Sequence, residues 1–250
     1  MTDRWAVISD VHGNVDALKA VLAEIDRLGC SRILNLGDHA SGPLAAAETL
    51  DVLMARDDVI SVRGNHDRYL LNPPETLGPS DAVAATQLTN THKEWLAALA
   101  ATALVEDVFL CHGTPESDET YWLHDVTSLG DLVDRSACAV AALATPAPVE
   151  AQVLLCGHTH LPRIVQLATG AVVLNPGSVG LPAYDDVTPV PHVVQSGDPA
   201  ARFAVLERGP HGWNISLHRV AYDAGRMVTL AQAHNRPDWA HPLKTGWFET

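Results

Sequence analysis

Five apolar runs of this chain each end in a short polar block, and this pattern constrains the fold more than any other feature. The blocks are Asp10-Val11-His12, Gly37-Asp38, Gly64-Asn65-His66-Asp67, His112-Gly113 and Gly157-His158-Thr159-His160. Short apolar runs that end in polar turns are typical of β-strands. Because open α/β sheets build their sites at the carboxyl ends of strands, the five blocks predict one common site.

The order of elements indicates an α/β fold. Strands are predicted at residues 5–9, 32–36 and 59–62. Helices are predicted at 14–28 and 43–55, and in the first of these the apolar residues recur with helical spacing. This β-α-β-α-β order favours parallel pairing within one sheet.

The remainder of the chain adds further elements and a tail. Helices are predicted at 80–88, 91–99, 125–144 and 223–234, and strands at 108–111, 153–156, 171–174, 202–208 and 214–220, the last two as a hairpin. Residues 91–94 (Thr-His-Lys-Glu) fit a capping box for the second helix of that set. Trp239, Trp247 and Phe248 indicate that the tail packs back, and without a repeat or linker we expect a single domain over residues 1–250.

The composition narrows the range of functions. Apolar residues make up 47% of the chain, charged residues make up 18%, and the formal net charge is −14. Such an acidic chain is poorly suited to grip duplex nucleic acid, where Lys and Arg must replace the phosphate counterions. A small phosphorylated substrate remains compatible, because bound metal ions can reverse the local field.

The sequence carries no sign of export or of a membrane partner. Residues 1–5 lack a signal-peptide pattern, and no apolar run reaches the roughly 18 residues of a membrane span. No pair of the four cysteines forms a C-x-x-C site, and Cys111 and Cys156 end apolar runs as buried thiols would. We therefore expect a cytoplasmic protein.

The residue types in the blocks suit a divalent metal. Carboxylate, imidazole and amide oxygen are metal ligands, and Asp10 and His12, two residues apart at a strand end, point the same way. Asp38 offers two oxygens that could bridge two ions. His158 and His160 place two imidazoles at the same spacing, although a lone histidine is more often structural.

The block at 64–67 is open to two interpretations. It forms an ordinary polar turn if Asn65 and Asp67 hydrogen-bond to their own backbone. In the functional interpretation, Asn65 gives its amide oxygen to a metal, His66 is a proton donor, and Asp67 orients the His66 ring, as carboxylates often do.

Taken together and in this order, the blocks resemble the calcineurin-like metallophosphoesterase superfamily. Its motifs D-x-H, GD, GNH[DE], a histidine followed by glycine, and GHTH are all present. Residues 10–14 (Asp-Val-His-Gly-Asn) and 175–180 (Asn-Pro-Gly-Ser-Val-Gly) look like the small bacterial and archaeal YfcE-type phosphoesterases. The resemblance covers nearly the whole chain. It implies a sandwich of two β-sheets flanked by helices, with two metal ions at the strand ends.

The resemblance also implies roles for individual residues. The first metal would be held by Asp10, His12, Asp38 and His160, and the second by Asp38, Asn65, His112 and His158. A metal-bound hydroxide would attack phosphorus, while His66 would protonate the departing oxygen or stabilise its charge. Asn14 would lie near the phosphate. Manganese is the first expectation, with Fe, Zn, Co or Ni as alternatives.

Three features bear on the substrate. The second block, Gly37-Asp38-His39-Ala40-Ser41-Gly42, lacks the Asp and Arg of the G-D-x-x-D-R-G motif in protein Ser/Thr phosphatases, which disfavours a phosphoprotein substrate. Arg63 could reach a phosphate oxygen or could pair at the surface. His39 fits a solvent-facing position better than a place in the site.

We therefore expect a dinuclear phosphoesterase that acts on phosphodiesters, and on monoesters as a second class, of small molecules. Its activity should fall below pH about 6.5, because histidine ligands must be neutral. One alternative is a nucleoside-polyphosphate hydrolase of the dinucleoside-tetraphosphate type, with Tyr69, Tyr121 and Trp122 either stacking on a base or filling core. A less favoured alternative is a non-catalytic scaffold, which would have no need of His66. Related proteins often associate, so a homo-oligomer stays open.

Overall fold

The computed structural model of the protein describes residues 3–249, which form fourteen strands and eight helices. The strands are β1 Arg4–Ile8, β2 Arg32–Asn35, β3 Val59–Ser61, β4 Ala103–Val105, β5 Val108–Leu110, β6 His124–Val126, β7 Leu132–Asp134, β8 Val153–Leu155, β9 Arg163–Gln166, β10 Val172–Asn175, β11 Ala183–Asp186, β12 His192–Gln195, β13 Ala201–Gly209 and β14 Gly212–Val220. The helices are α1 Val15–Leu28, α2 Ala46–Met54, α3 Asn65–Tyr69, α4 Pro79–Ala85, α5 Asn90–Ala98, α6 Ala137–Ala144, α7 Gly225–Ala233 and α8 Pro237–Thr245, with a 3-10 turn at Pro74–Thr76. The described residues do not include residues 1, 2 and 250. The first two belong to the stretch without a signal-peptide pattern, and the last belongs to the tail that is predicted to pack back.

Ten of these strands form two five-stranded sheets. The first has the order β14-β13-β1-β2-β3, in which β1, β2 and β3 are parallel and β13 and β14 form an antiparallel hairpin. The second has the order β4-β5-β8-β10-β9, with β5, β8 and β10 parallel and an antiparallel strand at each edge. The predicted β-α-β-α-β unit and the predicted hairpin are both confirmed.

The alternation of β1 shows how the layers stack. Because side chains along a strand point to opposite faces, Trp5 and Val7 enter the core between the two sheets with Leu155, while Ala6 and Ile8 pack against α1. On the outer face of the second sheet, α6 covers Phe109 and Val173 in the same way. The result is a two-sheet sandwich flanked by helices, as the family resemblance implies.

Two sequence predictions about helices are wrong. Residues 125–144 are not one helix: β6 and β7 form a hairpin whose turn contains Gly130 at φ +86°, and only α6 is helical. A positive φ is accessible to glycine and incompatible with a helix interior. The capping box of α5 also lies two residues earlier than predicted, because Thr89 Oγ1 accepts the His92 backbone N–H at 3.2 Å.

Six strands of three or four residues are absent from the sequence predictions, namely β4, β6, β7, β9, β11 and β12. β6, β7 and β11 have three or four residues each and carry no apolar run that would distinguish them from turns. The chain end forms α8, whose Trp239 and Leu243 are buried with Val15 and Leu44, so the end of the chain covers the site-bearing loops. None of the helices within residues 3–249 is long and apolar enough to cross a membrane.

Candidate metal centre

The five polar blocks meet where the two sheets present the carboxyl ends of their parallel strands. They follow β1, β2 and β3 in the first sheet and β5 and β8 in the second. Backbone hydrogen bonds tie neighbouring blocks together, from Asp10 N–H to Gly37 O at 3.1 Å and from His12 N–H to Asp38 O at 3.0 Å. The fold therefore brings distant parts of the chain to one edge, as expected for an α/β site.

The backbone is unusual at the candidate ligands. Asp10, His12, Asp38, His158 and His160 all have positive φ angles, between 49° and 67°. Non-glycine residues adopt this conformation rarely, and such strain concentrates at functional sites. These five residues are thus held in place by the surrounding structure and not by local preference.

Two groups of side chains have the geometry of metal ligands. Asp10, His12 and His160 form one group, and Asp38, His112 and His158 form the other, with the ligand atoms of each group within 4.8 Å of one another. Each group draws residues from both sheets. Asn65 lines the same cavity as His12 and Asp38.

The hydrogen bonds of three imidazoles fix which nitrogen faces the centre. His112 Nδ1 lies 2.8 Å from Leu36 O and His160 Nδ1 lies 2.7 Å from Leu181 O, so in both rings Nδ1 donates to a carbonyl and Nε2 faces the centre. His158 has the opposite arrangement, with Nε2 donating to a carbonyl oxygen at 3.0 Å and Nδ1 left for the centre. This is the way in which metal-binding histidines are commonly oriented.

Two buried carboxylates dominate the charge of the centre. Asp10 Oδ1 lies 3.3 Å from His160 Nε2, and Asp38 Oδ2 lies 3.2 Å from His112 Nε2. Burial alone would raise the pKa of Asp10, but His160 and His112 outweigh it and lower the pKa to about 2. Burial would likewise lower the pKa of His112, but Asp38 and Asp10 raise it to about 10. Without metal, protons on the imidazoles balance charge that a cation could balance instead.

Two further observations fit a bound cation. Asn65 Oδ1 is buried and accepts no hydrogen bond from any residue among 3–249, although a buried carbonyl oxygen normally finds a donor. His12 Nε2 lies 3.1 Å from His160 Nε2, so these two nitrogens either share one proton or face one cation. The donor set of carboxylate, imidazole and amide oxygen suits divalent transition metals.

The sequence predicts that Asp67 orients the His66 ring, but in the structure the two side chains are not hydrogen-bonded to each other. Asp67 is fully buried and accepts the backbone N–H groups of Gly64, Asp38 and His39 at 2.8–2.9 Å, together with His39 Nδ1 at 2.7 Å. Asp67 thus joins the second and third blocks. His66 Nδ1 instead lies 2.9 Å from Asp81 Oδ1, a contact that no local motif announces.

The predicted position of His39 at the surface is also wrong. Its side chain is fully buried, bonded to Asp67 and edge-on to the Trp95 ring. A histidine adjacent to a polar block looks like a surface residue in the sequence, because its partner Asp67 is 28 positions away.

Neither of the two predicted substrate-binding residues lines the cavity. Asn14 is buried, caps α1 by accepting Ala17 N–H at 3.0 Å, and donates to Gly180 O and Tyr222 Oη, both at 2.9 Å. All of its hydrogen-bonding groups are used within the fold. Arg63 does not line the cavity, and its buried Nε has no hydrogen-bond partner among residues 3–249, so its role toward a phosphate stays a prediction.

The turn at residues 175–180 buttresses the blocks. Asn175 Nδ2 donates to Gly157 O at 2.6 Å, and Ser178 Oγ donates to Asp10 O at 2.8 Å. The turn therefore links the first block to the last, and none of its residues lines the cavity.

A cavity of about 580 Å³ opens over the centre. Its lining includes His66 and five of the candidate ligands, which are His12, Asp38, Asn65, His158 and His160. Tyr69, Tyr121, Tyr184 and Trp239 stand around it, each ring within 6 Å of a site histidine ring. Trp122, by contrast, is buried in the core, as is usual for such an aromatic residue. The volume is sufficient for a small phosphorylated molecule.

The chain belongs to the calcineurin-like phosphoesterase superfamily, whose domain matches residues 4–197. A metallophosphoesterase from Sphaerobacter thermophilus is similar in structure, with a TM-score of 0.77 and 26% identity over 99% of this chain and 100% of that chain. An uncharacterised protein of Methanocaldococcus jannaschii is 26% identical over 94% of both chains. A phosphoesterase from E. coli, YfcE, matches at 21% identity over 87% of this chain and 100% of that chain, with a TM-score of 0.44.

Proposed function

We propose that this protein is a dinuclear metal-dependent phosphoesterase that hydrolyses phosphodiesters of small molecules, with monoesters as a second class of substrate. The observation that carries the proposal is the pair of ligand groups, Asp10–His12–His160 and Asp38–His112–His158, each of which has two members in the lining of one cavity. Asn65 completes the second group with its unpartnered amide oxygen. Membership of the superfamily supports the same class of reaction.

When bound, two divalent ions would supply an activated water and would neutralise charge on the phosphoryl oxygens. The side chains of the protein would hold the ions in place and supply a proton. Asp10 and Asp38 hold the negative charge that attracts the ions, and the carbonyl-bound imidazoles keep their ligand nitrogens aimed at the centre. His66 stands beside the ligands with Nε2 available to donate a hydrogen to the leaving oxygen.

The charge of the cavity wall weighs against the polyphosphate alternative. Arg135 and Arg236 are the Arg and Lys side chains that line the cavity within residues 3–249, and each is paired with a carboxylate, Asp125 at 3.0 Å and Asp238 at 2.6 Å. A chain of phosphates needs unpaired cations for each additional charge. A substrate with a single phosphoryl group suits this cavity better.

The test is hydrolysis of bis(4-nitrophenyl) phosphate by metal-stripped protein with Mn²⁺, Fe²⁺, Zn²⁺, Co²⁺ or Ni²⁺ added back singly. We expect turnover only with metal, and two ions bound per chain by elemental analysis. With phenyl methyl phosphate, whose phenolate leaving group needs a proton, we expect His66→Ala to lose about 100-fold or more of its turnover, because general acid catalysis contributes that much. His211→Ala, an exposed histidine in the β13–β14 turn, is the matched control and should keep full activity. Full activity in stripped protein would refute the proposal.

A further inference from the structure

His66 depends on a residue from outside the five blocks. Its Nδ1 lies 2.9 Å and 3.2 Å from the two carboxylate oxygens of Asp81. An ionised carboxylate can only accept hydrogen bonds, so Nδ1 carries the hydrogen of this contact. Nε2, on the other side of the ring, is left for the cavity that His66 lines.

The position of Asp81 is built into the fold. It lies in the first turn of α4 and is 3% exposed. The helix is anchored by Ala84, which is buried with Leu70 and Leu96, and by Gln87, whose Nε2 donates to Leu44 O at 2.9 Å. A carboxylate that is buried in this way costs free energy unless a partner compensates for it, and the partner here is the imidazole of His66.

No other acidic side chain in the described part of the chain bonds to the His66 ring. Asp67, the neighbour that the motif suggests, is already engaged by three backbone N–H groups and by His39. The remaining ring neighbours, His12 and Tyr69, stand edge-on at centroid distances of 5.6 Å and 5.4 Å. They confine the ring without fixing which nitrogen faces the cavity.

We propose that Asp81 is the positioning residue of the reaction: it accepts the Nδ1–H of His66 and holds the ring so that, with both ring nitrogens protonated, the Nε2–H points toward the cavity and is donated to the leaving oxygen. The inference rests on the proposed phosphoesterase function. The bond from phosphorus to the leaving oxygen breaks and its electron pair stays on that oxygen, which takes the proton from Nε2. The attacking water forms the new bond to phosphorus, and the proton that it sheds returns through solvent to His66.

The test compares leaving groups in the metal-loaded full chain. The substrates are methyl phosphates with different substituted phenyl groups as leaving groups. Unsubstituted phenolate is a strong base and needs a proton in order to leave, whereas 4-nitrophenolate is a weak base and scarcely needs one. We therefore expect Asp81→Asn to lower kcat roughly 100-fold for the phenyl ester and less than about 3-fold for the 4-nitrophenyl ester, with KM unchanged. Glu75→Gln, an exposed carboxylate in the same segment, should lower neither.

A second readout does not depend on turnover. In metal-free protein, the ring ¹⁵N resonances of His66 should show a protonated Nδ1 in the parent and a changed pattern in Asp81→Asn, and Asp81→Ser serves if the Asn variant does not fold. If Asp81→Asn lowers kcat equally for both esters, or leaves kcat for the phenyl ester unchanged, the inference is overturned and the proposed function still stands. No metal-dependent turnover of any ester by the parent overturns both.

Discussion

Gly64 occupies a position where any side chain would displace a candidate ligand. A Cβ atom built on Gly64 would lie 2.1 Å from Asp38 Oδ1 and 2.6 Å from Asp38 N. The neighbouring atoms belong to a buried carboxylate and to backbone, which have little freedom to move. Glycine is therefore required here because the second and third blocks approach so closely.

We predict that Gly64→Ala destabilises the protein by about 2 kcal/mol, as overpacking of a buried site does, and lowers metal affinity at least 10-fold. Chemical denaturation and metal titration measure the two effects. Gly78→Ala is the matched control, because a Cβ atom at that position would have no neighbouring atom within 4 Å, and it should change either quantity little. Equal behaviour of the two variants would contradict the steric argument.

At the scale of elements, the β6–β7 hairpin carries a buried histidine that the reaction does not use. His124 is 5% exposed, and burial, with a smaller effect of Arg163, lowers its pKa from 6.5 to about 4, while Asp134 opposes this. Because the folded-state pKa is the lower one, the fold favours the neutral ring. Stability is then fully present above pH 6.5 and is lost as the pH falls toward 4.

We predict that metal-free protein loses up to about 3 kcal/mol of its unfolding free energy through this group between pH 7 and pH 4. In His124→Asn, which cannot take up the proton, the loss over the same range should be smaller by that amount. Urea denaturation of both proteins at several pH values measures the difference. Parallel pH curves for parent and variant would show that His124 is not the group responsible.

The β6–β7 hairpin also shows which structural features the sequence does not predict. Local signals, namely apolar runs and the spacing of apolar residues, are sufficient to predict the five blocks, the parallel strands before them and the long hairpin. The apolar residues of 125–144 suggest a helix, but Gly130 turns the chain and the short strands 124–126 and 132–134 depend on each other. Asp81 is invisible for a related reason, since only the folded chain brings it to His66.

Predictions that depend on partners distant in sequence failed most often at the site. Asn14 follows the first block and reads as a phosphate contact, yet its amide holds α1, Gly180 and Tyr222 together. Asp67 follows His66 directly, yet its carboxylate faces the opposite way, toward the second block. The candidate ligands themselves came from strand-end position and family resemblance, and the structure gathers them at one centre.

At the scale of the whole molecule, each candidate ligand group joins the two sheets. Asp10 and His12 follow a strand of the first sheet, while His160 follows a strand of the second, and the group of Asp38 is divided in the same way. Because an ion bound only by the folded state stabilises it, loading the centre should resist separation of the sandwich.

We predict that saturating Mn²⁺ raises the thermal unfolding midpoint of stripped protein by about 5 °C or more, since a ligand at 100 times its Kd contributes about 2.7 kcal/mol. Differential scanning calorimetry with and without metal measures the shift. Asp38→Asn should lose most of it, and an unchanged midpoint in the parent would argue against ligands shared between the sheets.

The wall contributed by the chain end has an evolutionary consequence. Arg236, Trp239 and Phe248 line the cavity, yet all three lie beyond residue 197, where the superfamily match ends. Part of the cavity wall therefore lies outside the stretch of chain that carries the candidate ligands. Homologues could change their substrate through substitutions in this last stretch while the metal-binding motifs stayed the same. A substrate assigned to such a homologue from its motifs alone would then be wrong.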